Sequence, residues 1–238
     1  SPTVGLFTLP YLIQSVDEAV TLTQGPIGEE LVQNTIKSAG VRILGWSYSG
    51  FRRLSNSKRP ITKPADLKGL TIRVPKNAIM IDSYKSWGVS PTPMAWDEVF
   101  TALQQKVLDG QDTPLITQYV MKFYEVQKYI TKIRYEFLLE PLVISEQLFQ
   151  RHSPEIQQVL LRAGKEAQEF CRQFLILFED SIENELKDKG LEILDPADGE
   201  KEWIDKATKT VWPKFYKSIG GKAKVEAALK AVNREFPF

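Results

Sequence analysis

The stretch GFRRLSNSKRPITKPADLKGLTIRVP, from Gly50 to Pro75, places two arginines in neighbouring extended segments with a proline-rich loop between them. The later one, Arg73, lies in the apolar run LTIRVP, which predicts a buried strand. An unpaired cation in such a strand is costly. The guanidinium of Arg73 therefore needs an acid, which comes either from the protein itself or from a ligand.

These two alternatives for Arg73 stay open at the level of the residues. An internal salt bridge at a strand end would have a structural role only. Capture of a ligand carboxylate would use the planar, permanently charged guanidinium as a bidentate binding group. Trp96, which follows the proline-framed segment PTPMA, is likewise either a core residue or an aromatic wall against the apolar face of a ligand.

Composition indicates an ordinary soluble globular protein. The 238 residues include 31 basic and 30 acidic side chains, for a net charge of +1, which argues against a nucleic-acid partner. No apolar run approaches the length of a membrane span. The chain opens at Ser1 without a signal peptide, as a mature exported protein or a fragment would.

The sequence lacks the residues that several kinds of catalytic and metal-binding site require. His152 is the only histidine and Cys171 the only cysteine, which disfavours a His-based triad, a multi-His or thiolate metal site and an internal disulfide. No glycine-rich loop is suited to phosphate. The acidic pair Asp97 and Glu98 is typical of a helix start. We therefore expect neither a catalytic centre nor a cofactor or metal.

Short apolar runs alternate with helical patterns, which predicts an α/β architecture. Strands are predicted at 41–46 and around Arg73, and a helix from Pro114 to Tyr129. Ser153 followed by Pro154 is a good helix start. The helical pattern then continues for roughly 35 residues, a length of about 50 Å, which is enough to bridge two lobes.

Together these segments resemble the DctP-like solute-binding proteins of TRAP (tripartite ATP-independent periplasmic) transporters. The resemblance covers most of residues 5–195, and the matching motifs keep the family's order and spacing. They are LPYL at 9–12, the segment 50–60, DLKGL at 66–70, RVP at 73–75, SPTPM at 90–94, ALQ at 102–104, DGQ at 109–111 and KFYEVQKY at 122–129.

The resemblance implies a periplasmic-binding-protein (Venus-flytrap) clamp of α/β class, with a long helix spanning both lobes. It implies that lobe I comprises residues 1–49 and 139–178, and lobe II residues 50–138 and 179–238. Family members carry a further N-terminal segment before the position that matches Ser1. Lobe I is therefore expected to be incomplete, with open sheet edges and apolar surface.

Site residues follow from the same resemblance. Arg73 occupies the place of the family's principal carboxylate anchor, and Arg52 that of a second ligand contact. Trp96 matches the aromatic residue that walls the ligand, and Lys76 a polar position that often reaches the pocket.

Two further positions depart from the family. Thr113 stands in DGQDTP where the family's DGQENP has asparagine, and Ser49 stands where asparagine commonly precedes GFR. We expect both residues to contact the ligand and to change which ligand is bound.

The sequence thus predicts a periplasmic receptor that binds a small organic anion, such as a sugar acid, and delivers it to TRAP membrane subunits. The full-length receptor is expected to be a monomer. Two alternatives remain, an enzyme acting on a carboxylated substrate and a sensor that presents its ligand to a signalling partner. The sequence leaves the ligand itself open.

Overall fold

The computed structural model describes residues 2–236, which form nine α-helices, seven β-strands and short 3₁₀ segments. The helices are α1 (Val16–Gln24), α2 (Pro26–Ala39), α3 (Ala78–Ser86), α4 (Val99–Gln104), α5 (Leu115–Val120), α6 (Glu146–Arg151), α7 (Pro154–Asp188), α8 (Lys201–Ile219) and α9 (Lys222–Ala231). The strands are β1 (Val41–Asn56), β2 (Arg73–Val74), β3 (Thr92–Pro93), β4 (Gly110–Pro114), β5 (Tyr129–Thr131), β6 (Phe137–Ser145) and β7 (Glu192–Leu194). Within residues 2–236 no helix has the length and apolar character needed to cross a bilayer.

Strand β1 organises the fold because its two halves pair with different partners. Its first half, up to Phe51, runs antiparallel to β6. Its second half, from Arg52 to Asn56, runs antiparallel to β4 on one side and, from Leu54 onward, to β5 on the other. Strand β7 extends the sheet in parallel next to β5. The sequence predicted a strand only as far as Trp46, and the observed one is ten residues longer.

Arg73 lies in a smaller parallel pair, in which β2 faces β3 with Arg73 opposite Thr92. A bridge from Ile72 to Gly110 joins this pair to β4. The buried strand predicted around Arg73 is therefore present but spans two residues. Its backbone is fixed on both sides, so the position of the Arg73 side chain is set by its neighbours.

The long helix predicted after Ser153 is confirmed as α7, which has 35 residues. The Ser153 side chain accepts a hydrogen bond from the Ile156 amide, and Pro154 occupies the first turn, as the capping pattern predicts. Helix α7 packs along β1, the strand that changes partners.

Two large apolar clusters share β1 and α8. One combines Phe7, Leu31 and Trp46 with Trp212, and the other surrounds Trp87 with residues of β2 and the start of α8. The division into lobe I (1–49 and 139–178) and lobe II (50–138 and 179–238) stays a prediction, and its terminal residues 1, 237 and 238 lie outside the described part.

The helix predicted from Pro114 to Tyr129 is broken in the structure. Helix α5 ends at Val120, and Lys122 adopts a left-handed conformation with φ of 55°. A 3₁₀ turn follows, and Tyr129 then pairs with Asn56 of β1. The long-range pairing outweighs the local helical propensity, because the residues up to Tyr129 must become extended to join the sheet.

Candidate functional site

A cavity of about 530 Å³ lies beside the point where β1 changes its partners. Its polar wall is formed by Ser49, Arg52, Arg73, Thr113, Thr117 and Glu140. Its apolar wall is formed by Pro75, Trp96, Ile116, Val120, Met121 and Leu138. Side chains from several elements thus meet at one place although they are far apart in the sequence.

Five of the six residues that the sequence singled out line this cavity. They are Ser49, Arg52, Arg73, Trp96 and Thr113. The sixth, Lys76, is exposed and does not belong to the cavity wall. The roles of all six toward a ligand stay predictions.

Arg73 is almost fully buried, with 3% of its surface exposed. Its Nε and Nη2 atoms both donate to the carbonyl oxygen of Met94, at 3.1 and 2.8 Å. Throughout residues 2–236 no carboxylate lies within 4.0 Å of this guanidinium. The internal salt bridge considered as an alternative for Arg73 is therefore absent from the described chain.

The hydrogen bonds to the Met94 carbonyl fix the orientation of the Arg73 guanidinium in the cavity wall. They use the edge formed by Nε and Nη2, and in the described residues Nη1 makes no hydrogen bond. The edge formed by Nη1 and Nη2 therefore keeps two roughly parallel N–H groups for an incoming carboxylate. The Trp96 ring centre lies 5.6 Å from the Arg73 guanidinium carbon.

Arg52 differs from Arg73 because its charge is already matched. Its Nε lies 3.1 Å from Oδ2 of Asp112 and 3.5 Å from Oε2 of Glu136, and its Nη2 donates to the Asp112 carbonyl at 2.6 Å. Burial alone lowers the pKa of Arg52, but the charge of Asp112, helped by Tyr135 and Glu136, raises it overall. Arg52 keeps Nη1 without a partner in the described chain, so it can still donate one contact.

Glu136 is a buried acid next to Arg52. Burial raises the pKa of Glu136 to about 8, although the charge of Arg52 opposes the shift. Asp112 contributes to the increase through like-charge repulsion and also accepts a hydrogen bond from the Tyr135 hydroxyl. The raised pKa favours the protonated, uncharged form of Glu136 at neutral pH.

Sequence reasoning missed about half of the cavity wall. Helix α5 contributes Ile116, Thr117 and Val120, of which Val120 is 65% exposed, and Met121 follows directly after the helix. The sequence predicted one unbroken helix through this segment, so it did not indicate that the helix ends at the cavity. Glu140 was also missed, although it is the one charged residue in the strand FLLEPLVIS and that isolation was a usable signal.

A larger cavity of about 810 Å³ lies between α2, β1 and α7. Its charged lining residues are three acids, Glu29, Glu30 and Glu169, and one base, Lys165. This balance does not suit an anion, so we assign the site to the smaller cavity with the arginines. Within the described residues no group of three or more His, Cys, Asp or Glu side chains is arranged to hold a metal ion.

The chain has relatives among known proteins. A model of the family described as bacterial extracellular solute-binding protein, family 7 (DctP), matches residues 1–219. The chain is 30% identical to the 2,3-diketo-L-gulonate-binding periplasmic protein YiaO of Escherichia coli, over 92% of this chain and 66% of that protein. The chain spans 58% to 66% of the length of the first curated relatives that it matches.

Solved structures of TRAP periplasmic solute-binding proteins are also similar to this chain. A TRAP periplasmic solute-binding protein from Rhodobacter sphaeroides, in an open ligand-free form, is 40% identical with a TM-score of 0.81, over 98% of this chain and 75% of that one. Another from Roseobacter denitrificans, with bound L-galactonate, is 34% identical with a TM-score of 0.85, over 92% of this chain and 72% of that one. The predicted fold class, an α/β two-lobed clamp with a long helix, is confirmed.

Proposed function

The chain belongs to the bacterial extracellular solute-binding proteins of family 7, and from this membership we propose that it is the receptor of a TRAP transporter. In this proposal it binds one small organic acid anion in the cavity between Arg73, Arg52 and Trp96. It then delivers the anion to membrane subunits. Binding and release are its whole activity, with no chemical step.

The observation that carries the proposal is the state of Arg73. Its guanidinium is buried and is oriented by the Met94 carbonyl, and among residues 2–236 it has no acid partner. A buried cation of this kind is completed by a ligand carboxylate, which would form a bidentate, charge-assisted pair. Hydrogen bonds to charged groups contribute roughly 1.5–3 kcal/mol each. Two such bonds with closure of the clamp are compatible with micromolar affinity, about −8 kcal/mol.

Relatives support an organic acid as the ligand class. The E. coli relative is a 2,3-diketo-L-gulonate-binding protein, and the R. denitrificans structure contains L-galactonate. We extend this class to the present chain, with Arg73 as the principal anchor and Arg52 as the second donor. Trp96, Thr113 and Ser49 complete the contacts, and Lys76 joins them on closure of the lobes by a hinge motion.

The location and partners belong to the same proposal. The family is an extracytoplasmic solute-binding family, and we place this receptor in the periplasm with TRAP membrane subunits as its partners. We propose that the full-length receptor is monomeric and needs no cofactor.

The test is calorimetric titration of the protein with a panel of organic acids that contains succinate, pyruvate, D-erythronate and D-gluconate. At least one acid is expected to bind, and Arg73→Ala is expected to abolish that binding while the thermal unfolding transition is kept. Arg59→Ala is the matched control, because Arg59 also donates to carbonyl oxygens but lies in an exposed loop outside the cavity. Unchanged affinity in Arg73→Ala would refute the proposal.

A further inference from the structure

We propose that Glu140 makes the cavity selective for monocarboxylates whose far end carries hydroxyl groups, and that it excludes dicarboxylates. This inference rests on the proposed function and specifies the ligand class of the same cavity. It assigns to Glu140 the role of a specificity-determining residue.

Glu140 is an exposed residue of β6 that lines the cavity. One carboxylate oxygen accepts a hydrogen bond of 2.7 Å from the Ser49 hydroxyl. In the described part of the chain no Lys, Arg or His forms an ion pair with it. The Glu140 carboxylate thus lies on the cavity wall with its negative charge uncompensated and several acceptor positions still open.

The charges of the cavity wall therefore fall into two opposite groups. Arg73 is a cation without an acid, and Glu140 is an acid without a cation. Arg52, the other cation, is already paired with Asp112. A ligand with one carboxylate completes Arg73, whereas a second carboxylate would meet Glu140 and no further unpaired arginine on the wall.

The remaining wall fits the carbon chain of such a ligand. The same cavity is also lined by the apolar side chains of Trp96 and Leu138 and by the hydroxyl side chains of Thr113 and Thr117. Carbon atoms can pack on the former, and hydroxyl groups can bond to the latter. Because the Glu140 carboxylate can only accept hydrogen bonds, the group that reaches it must be a donor.

Ser49 has a positioning role in this arrangement. Its hydroxyl hydrogen is used in the bond to Glu140, so it holds that carboxylate against the wall. Toward a ligand, Ser49 then offers only its lone pairs. Ser49 and Glu140 therefore act as a unit in this chain.

Three pairs of acids test the inference directly. They are D-glycerate and tartronate, D-erythronate and meso-tartrate, and D-gluconate and D-glucarate. The members of a pair differ only in whether the last carbon is a hydroxymethyl group or a carboxylate. Affinities of all six are measured by calorimetry at neutral pH on the protein, Glu140→Gln and Glu166→Gln. Glu166 is an exposed residue of α7 outside the cavity, so this control removes one negative charge without changing the wall.

We expect the hydroxylated member of at least one pair to bind about tenfold or more tightly than its dicarboxylate partner. In Glu140→Gln the dicarboxylate should gain affinity, and the ratio should fall to about threefold or less. In Glu166→Gln the ratio should stay as in the unchanged protein. A dicarboxylate that binds as tightly as its partner, a ratio unaffected by Glu140→Gln, or no binding within any pair would each overturn the inference.

These failures differ from failure of the proposed function. If the receptor assignment is wrong, neither the six acids nor the wider panel binds in a manner that depends on Arg73. If only the role of Glu140 is wrong, Arg73-dependent binding of an acid persists, but it shows no preference against a second carboxylate.

Discussion

Arg52 is held by Asp112 through both side chain and backbone: Nε lies 3.1 Å from the carboxylate and Nη2 donates to the carbonyl oxygen at 2.6 Å. The two residues lie on neighbouring strands, and both are almost fully buried. This pair therefore connects β1 to β4 directly under the cavity. It gives Arg52 a structural role that the sequence did not predict, beside its proposed contact with the ligand.

Replacing Asp112 by asparagine should destabilise the protein. Among residues 2–236, the change leaves the buried Arg52 with Glu136 as its only nearby acid, at 3.5 Å. Breaking a buried pair by removing one partner costs roughly 3–5 kcal/mol. Urea unfolding followed by circular dichroism measures the loss. For comparison, Glu202→Gln removes an acid from an exposed pair with Lys206, and the change should stay within about 0.5 kcal/mol. Equal effects of the two changes would contradict the structural role of Asp112.

Anion affinity should decrease as the pH rises from 7 to 9. Over this range Glu136, whose pKa is raised to about 8 by burial, loses its proton and adds a negative charge beside Arg52. The added negative charge repels an anion in the cavity, and an effect of about 1 kcal/mol corresponds to about fivefold in affinity. Titrations of the tightest-binding acid of the panel at constant ionic strength check this. The variant Glu136→Gln should give a flat profile, and an equally steep profile in that variant would show that another group is responsible.

Stability should depend on pH through the same residue. The pKa of Glu136 is about 8 in the folded protein and 4.5 as its ordinary value. Between these values the folded state binds more protons than the unfolded state, so the free energy of unfolding falls as the pH rises. The contribution of Glu136 is fully present below about pH 4.5 and is lost by about pH 8. Urea unfolding at pH 6 and pH 8.5 should show a smaller difference for Glu136→Gln than for the unchanged protein.

Local chemistry explains which parts of the fold were predictable. Ser153 with Pro154 determines the start of α7, and Gly40, with φ of 64°, closes α2. These features depend on neighbouring residues only. The candidate site was predictable for a different reason. Arg52, Arg73 and the other wall residues come from distant segments, and the resemblance to a family grouped them.

The features that could not be predicted from the sequence depend on contacts between distant segments. The helix breaks after α5 because Tyr129 must pair with β1. The residues near Lys122 contain no local signal that predicts this break. The pairing of Arg52 with Asp112 depends on strand register, since Arg52 faces Pro114 across the ladder. The choice between a salt bridge and a ligand for Arg73 required the positions of every acid around it.

A close backbone approach predicts a sensitive position in α7. Gly164, in the middle of this helix, packs against β1 so tightly that a Cβ atom would clash with the Leu44 carbonyl. Helix propensity alone favours alanine over glycine by about 1 kcal/mol. We nevertheless expect Gly164→Ala to destabilise the protein by roughly 1–3 kcal/mol, because the helix must move off the strand. Urea unfolding of Gly164→Ala and of Ala163→Gly, an exposed neighbour that should lose about 1 kcal/mol by propensity, tests this. A gain in stability for Gly164→Ala would contradict the packing.

Trp96 offers a test that separates binding from stability. Its ring lies 5.6 Å from the Arg73 guanidinium and makes an edge contact with Phe123 at 5.6 Å between ring centres, yet 39% of the residue is exposed. Since the exposed face borders the cavity, Trp96→Ala should weaken binding of the tightest acid by about tenfold, through loss of the wall against its carbon chain. Stability should fall less than for a buried tryptophan, where removal costs roughly 3–5 kcal/mol. Trp96→Phe should recover most of the affinity because it restores an aromatic face. If calorimetry finds full affinity in Trp96→Ala, the ring only packs against Phe123, and the ligand must be held by the arginine side of the cavity alone.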